Sequence, residues 1–147
     1  VLMDAATGKG VCVIDLDTVM PGLCAYDFGD AIRFGANTAA EDEADTSKIH
    51  FSLPMFRAYA RGYLAAAGKA LTPAEIRSLP LGAWMRTYEV GIRFLTDYLN
   101  GDVYFKVAYP EHNLVRARNQ LALLADMEKN EEAMAQVVAS VMEEMGA

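Results

Sequence analysis

Between residues 49 and 67 the apolar side chains Phe51, Met55, Phe56, Tyr59, Tyr63 and Leu64 recur at intervals of three and four. That is the period of an amphipathic helix, and Gly68 ends it. Thr72, Pro73 and Glu75 then mark a second start, with threonine as N-cap, proline at the first helical position and glutamate placed to close a capping box. Pro80 is expected to end or kink that short helix. A longer helix is predicted from Leu81 to about Leu99, with Trp84, Tyr88, Ile92, Leu95 and Leu99 turned inward and Asn100-Gly101 closing it. Arg93 interrupts that face, and its spacing alone reads as a surface ion pair. Residues 102–109 hold Tyr104, Phe105 and Tyr109, a connection with aromatic anchors. Pro110 opens a further helix past Leu114, Leu121 and Leu124 to about Lys129. Asn130 caps a last one, in which Met134, Val137, Val138, Val141, Met142 and Met145 repeat at three and four.

The front of the chain follows the other period. Residues 1–3 and 11–16 read as strands joined by the polar, glycine-bearing connection 4–10, a hairpin. A lone two-stranded ribbon is marginal in water, so it is expected to lie against the helices or against a sheet outside this chain. The opening Val1-Leu2-Met3-Asp4 reads as a cut edge. In the second strand Asp15 and Asp17 alternate with Ile14 and Leu16, which places both carboxylates on one face. Like charges that close recruit a cation, and Mg²⁺ is the usual one where phosphate is handled. After Pro21-Gly22, residues 26–35 form a short helix with Asp27 and Asp30 near its start, where acids satisfy free N–H groups and the helix dipole. Residues 37–47, with Glu41, Asp42, Glu43 and Asp45, read as a solvated loop. The predicted fold is mainly α: a short N-terminal β-hairpin over 1–22, then five or six helices over 23–147, in one domain at most.

Composition narrows the chemistry. Twenty acids against 13 bases leave a net charge of -7 and a pI near 4.7, the wrong sign for a nucleic-acid partner. Cys12 and Cys24 are too few for a disulfide framework and read as buried or semi-buried thiols, so the cytoplasm is the expected compartment. No stretch is apolar for long enough to enter a membrane as a helix. The eight methionines read as core packing. His50, on a helical stretch, and His112, near a helix start, lack a metal-binding companion four residues on and read as ordinary polar positions. Asp27-Phe28-Gly29 spells the kinase metal motif without the strand that must precede it, and Gly8-Lys9-Gly10 lacks the spacing of a P-loop. A competing reading takes Asp15-Leu16-Asp17 as the nucleophile and acid/base pair of a haloacid-dehalogenase-like phosphatase. That fold needs several parallel strands, which helix-period sequence after Pro21 does not supply. A third reading is a non-catalytic helical interaction module, able to self-associate through apolar surface that the ribbon leaves exposed.

Two blocks carry a family resemblance. Residues 13–22 (Val-Ile-Asp-Leu-Asp-Thr-Val-Met-Pro-Gly) followed by 26–33 (Tyr-Asp-Phe-Gly-Asp-Ala-Ile-Arg), together with 91–105 (Gly-Ile-Arg-Phe-Leu-Thr-Asp-Tyr-Leu-Asn-Gly-Asp-Val-Tyr-Phe), resemble the aminoglycoside-phosphotransferase-like kinases. The branch they resemble is the N-acetylhexosamine 1-kinases, over residues 1 to about 118. The resemblance implies the C-terminal lobe of a protein-kinase-like fold that uses ATP and Mg²⁺ to phosphorylate the anomeric hydroxyl of an N-acetylhexosamine. It implies Asp15 as the metal-binding acid and Asp17 as a neighbouring or alternative ligand. Thr18 and Phe34 would lie beside the sugar, and Arg93 and Tyr104 would contact its hydroxyls or N-acetyl group, which reverses the ion-pair reading of Arg93. Asp27 and Asp30 would brace the loop around the metal motif. The general base, in His-x-Asp-x-x-x-x-Asn, and the nucleotide lobe are expected upstream of Val1, so a chain without them is expected to be inactive alone.

Overall fold

The computed structural model describes residues 1–146, and over them the predicted order of a ribbon followed by helices is present. Strands β1 (Leu2–Met3) and β2 (Gly10–Cys12) pair antiparallel, Leu2 with Cys12 and Met3 with Gly10, with an irregularity between the two pairs. Asp4 shapes the turn, its Oδ1 accepting from the amides of Ala6 (3.1 Å) and Thr7 (2.8 Å). Five helices follow among the described residues: α1 (Cys24–Gly35), α2 (Leu53–Ala67), α3 (Pro73–Leu99), α4 (His112–Lys129) and α5 (Glu131–Glu144). None of them is long and apolar enough to cross a membrane.

The 27-residue α3 is the axis, with α1 along one side, α4 along another, and α5 packed on both α2 and α3. Ile32, Phe56, Leu64, Leu79, Leu123, Met127 and Val141 fill the main core, and Val90, Phe94 and Ala117 form a second cluster further along α3. Helices α1 and α3 meet backbone to backbone. A Cβ at Gly29 would run into the Gly82 carbonyl, and one at Gly82 into the Ala25 carbonyl.

Several expectations need correction. The second strand stops at Cys12 rather than running to residue 16, because a two-residue β1 offers Val13 and Ile14 no partner. Asp15 has a left-handed backbone, φ 65°, so the alternating-face argument for Asp15 and Asp17 does not hold. Of the two supports expected for the ribbon, helices and a sheet outside this chain, the first is not supplied among the described residues: every residue from Val1 to Leu23 is exposed, Cys12 included, while Cys24 is half-buried as expected. Residues 49–52 are extended, not helical. Ile49 and Phe51 are buried, His50 is exposed on that segment, and Ser52 caps α2 by accepting from the Met55 amide. The loop over 37–47 is pinned to α4: Asn119, fully buried, donates to the carbonyls of Ala40 (2.9 Å) and Glu43 (3.3 Å) and accepts from Asn37 (3.2 Å). His112 is likewise buried, its Nδ1 accepting from the Ala108 amide at 3.1 Å.

The largest corrections concern α3. It starts as predicted, with the Thr72–Glu75 capping box formed, but it runs through Pro80 as one helix. Packing along α1, α4 and α5 holds it across the lost backbone bond. Replacing Pro80 by alanine restores a donor inside a continuous helix, and is expected to raise stability by about 1–2 kcal/mol; the urea midpoint checks this. The side of α3 expected to face inward faces out. Tyr88 and Ile92 are exposed and Leu99 is 73% exposed, whereas Leu79, Ala83, Thr87, Val90, Gly91 and Phe94 are buried. Small residues let α1 and α4 approach closely, so side-chain size misidentifies the buried face.

Candidate functional site

The end of α3 is organised by an acid that the spacing did not single out. Asp97 is 4% exposed, and both of its oxygens are fully engaged. Oδ1 accepts from the amides of Val103 (3.1 Å) and Tyr104 (2.8 Å), and Oδ2 from the Phe105 amide (2.9 Å) and Asn113 Nδ2 (2.9 Å). The turn that brings these amides round uses left-handed backbone at Gly101 (φ 89°) and Asp102 (φ 58°), with the Asp102 amide donating to the Asp97 carbonyl at 2.8 Å. Burial pushes the Asp97 carboxyl up, but hydrogen bonds from Phe105, Tyr104, Val103 and Asn113 outweigh it and hold the group below its ordinary value. A signal was present in the sequence: an acid in the last turn of a helix opposes the helix dipole and calls for a specific partner.

That loop carries Tyr104 to Arg93. The guanidinium carbon of Arg93 lies 5.6 Å from the Tyr104 ring centre and 5.4 Å from that of Phe105, both cation–π distances. The Tyr104 and Phe105 rings meet edge to face at 4.8 Å, and Phe105 packs on Phe94 at 4.7 Å. Arg93 also stands 4.0 Å from Glu89, so the ion pair suggested by spacing is formed as well. Together Arg93, Thr96, Asp97, Asn100, Val103 and Tyr104 line an open recess of about 320 Å³.

Support for this corner comes from α4. Asn113, fully buried, donates to both Asp97 and Asp102 at 2.9 Å. Arg116 donates to the Lys106 carbonyl (3.2 Å) and to Asn113 Oδ1 (3.3 Å), and lies 5.4 Å over Phe94. Its Nε is 3.9 Å from Glu41, which in turn accepts from Arg33 at 2.6 Å. Of the acids read as a solvated loop, Glu41 is therefore tied through Arg116 to the Asn113 that holds Asp97.

The remaining candidates lie elsewhere. Phe34 is 72% exposed near the C-terminal end of α1, and Thr18 is exposed in the turn after Asp17. No contact among the described residues brings either to Arg93 or Tyr104. Asp27 sits in the first turn of α1, where the dipole reading placed it. Asp30 instead links helices, with Arg33 Nε at 3.3 Å and Arg86 of α3 at 3.5 Å. Neither is bonded to residues 13–22.

Asp15 and Asp17 are exposed, and among the described residues neither accepts a hydrogen bond. Mg²⁺ demands near-octahedral oxygen coordination. Among the described residues no group of three or more His, Cys, Asp or Glu is placed to hold a metal ion, so a magnesium ion on Asp15 or Asp17 would take its remaining ligands from water and substrate phosphate. The recess has different chemistry. It offers an aromatic face, a guanidinium and amide or hydroxyl groups from Asn100 and Thr96. Asp97 has no lone pair to spare and serves as the anchor. No protein-family model matches the chain.

Proposed function

We propose that this chain carries the acceptor side of an ATP- and Mg²⁺-dependent phosphotransferase that phosphorylates the anomeric hydroxyl of an N-acetylhexosamine, and that its 147 residues alone are inactive. The observation that carries the reading is the placement of Arg93 at 5.6 Å from Tyr104 beside a recess at the end of α3. Two of the four residues that the sequence resemblance assigns to the sugar, Arg93 and Tyr104, eleven positions apart, come together through Asp97. A pyranose ring can lie on Tyr104 while Arg93 donates to a hydroxyl or to the acetamido oxygen. Thr18 and Phe34 as sugar contacts, Asp15 and Asp17 as magnesium ligands, and membership of the kinase-like family rest on the sequence blocks alone.

Phosphoryl transfer depends on positioning and on charge stabilisation around the phosphate. The chain contains no His-x-Asp-x-x-x-x-Asn, so no catalytic step is assigned to it. Its own residues would bind and orient the acceptor. Equilibrium dialysis with N-acetylhexosamines tests this. Retention by the chain, weakened roughly tenfold by Arg93→Ala and by Tyr104→Ala, is the expected result. Equal retention by all three proteins would remove the sugar reading. In a coupled ATP assay the chain should turn over no faster than its Asp15→Asn variant; faster turnover contradicts the inactivity proposed for the chain alone.

A further inference from the structure

His112, the first residue of α4, is held between two segments that come from different parts of the chain. It is 5% exposed, and its ring stacks on that of Tyr109 at 4.5 Å. Nδ1 accepts from the Ala108 amide at 3.1 Å, so this nitrogen carries no proton and the neutral ring keeps its hydrogen on Nε2. Nε2 faces the 37–47 loop, where Asp42 Oδ2 stands 3.5 Å away. No hydrogen bond is made across that gap. Nε2 is buried without a partner, and the Asp42 side chain, 53% exposed, has no other ion pair or hydrogen bond among the described residues. With an amide on one nitrogen and an acid facing the other, neither is free to act as a base on substrate or as a metal ligand.

We infer that His112 is a proton-operated switch that exchanges the Ala108 amide for Asp42. While the ring is neutral, Nδ1 is an acceptor and the 106–111 connection is pinned to α4. A proton taken from solvent onto Nδ1 turns that acceptor into a donor, and two N–H groups then confront each other. The same proton makes the ring a cation, so Nε2–H and the Asp42 carboxylate gain a charge-assisted hydrogen bond that the neutral ring lacks. Both effects point one way: Ala108 is released and Asp42 is drawn in. The other charged groups around the ring are engaged elsewhere. One turn along α4, Arg116 lies 3.9 Å from Glu41 and donates to the Lys106 carbonyl, while Asp97 and Asp102 accept from Asn113. Lys106 and Glu111 are exposed on the connection itself. Ala108 is exposed too, so water can replace the imidazole on its amide. Residues 103–105 hang on Asp97 by their own bonds, so the switch acts on the segment after them and leaves Tyr104 in place. It therefore stands or falls independently of the hexosamine reading.

Nuclear magnetic resonance of the full chain, with the His112 ring nitrogens labelled, provides the test. At the alkaline end Nδ1 should show the shift of a bare acceptor nitrogen and Nε2 should carry the proton. Between about pH 8 and pH 5, the range in which histidine changes charge, protection of the Ala108 amide should fall about tenfold in step with the ring's titration. The Asp42 carboxyl carbon should move over the same range, and the amides of Val103, Tyr104 and Phe105 should keep their protection. His112→Asn, whose Oδ1 can stand where Nδ1 does, should hold the Ala108 amide throughout that range. Asp42→Asn removes the acid that draws in the cation and should move the release of Ala108 to lower pH. A proton on Nδ1 at the alkaline end, a ring that stays neutral throughout, or Ala108 protection indifferent to the ring's charge overturns the inference. So does release of residues 103–105 together with Ala108, which would mark unfolding of the whole connection. Should His112→Asn fail to fold, the readings on the unaltered chain decide by themselves.

Discussion

A Gly82→Val variant is expected to lose about 3 kcal/mol of stability, the upper end of overpacking costs, and to melt about 10 °C lower. The reason is the nature of the atoms that a new side chain meets. At Gly82 a Cβ would strike the Ala25 carbonyl, and Gly29 faces the Gly82 carbonyl in the same way. Side chains can change rotamer to admit a methyl group, but two helix backbones in contact cannot separate without opening the core between them. Phe28 and Ile32 on α1 and Leu79 and Ala83 on α3 share that core, so parting the helices removes their contacts together. Gly62, exposed on α2 with nothing near its Cβ position, is the matched control. Gly62→Ala should stabilise by roughly 0.5–1 kcal/mol through helix propensity. Thermal unfolding of the two variants checks both signs, and a Gly82→Val protein as stable as the parent would show that α1 and α3 do not meet as described.

The second large effect is expected at Asp97. Asp97→Ala removes the acceptor for three amides and for Asn113 Nδ2, leaving buried donors unpaired and the 101–105 turn without its anchor. Hydrogen exchange at the amides of Val103, Tyr104 and Phe105 should accelerate on the order of tenfold or more. Tyr104 should leave Arg93, and sugar retention should fall with it. Asp97→Asn keeps the shape but offers one acceptor oxygen in place of two, so an intermediate result is expected. The pH dependence has a definite sign. Because the folded carboxyl is held below its ordinary value of 3.8, its contribution is complete above that value and is lost as pH falls through the depressed one. Protection of these amides should therefore persist at neutral pH and disappear in acid. Protection lost on raising the pH toward neutrality would contradict the assignment.

Helix existence was legible in the sequence because it follows from period and punctuation. The Thr72–Glu75 box and the last two helices reach the structure within a few residues, and the 49–67 pattern does so over Leu53–Ala67. Helix facing on α3 was not legible. Trp84, Tyr88, Ile92, Leu95 and Leu99 make a persuasive stripe by size, while the buried side mixes Leu79, Val90 and Phe94 with glycine, alanine and threonine, whose value lies in what they allow a neighbour to do. Pro80 misled for a related reason: local propensity marks a break, and packing along three other helices overrides it. At the site, Arg93 and Tyr104 came from resemblance, and spacing alone had assigned Arg93 to Glu89, a contact that also exists. Asp97, Asn113 and Arg116 were passed over because a buried polar network has no period, and its partners lie on different elements. The paired aspartates failed in the opposite way. Alternation in the sequence implied a strand face, and the strand ends three residues before Asp15.

The central claim is that Asp97 holds Tyr104 against Arg93 to receive an N-acetylhexosamine, and amide shift mapping tests it most directly. Titrating the isotope-labelled chain with N-acetylglucosamine and N-acetylgalactosamine should move the amides of Thr96, Asn100, Val103 and Tyr104, and the same titration of Asp97→Ala should leave them in place. Shifts confined to other parts of the chain, or no shifts in the parent at sugar concentrations that saturate weak binders, would contradict it.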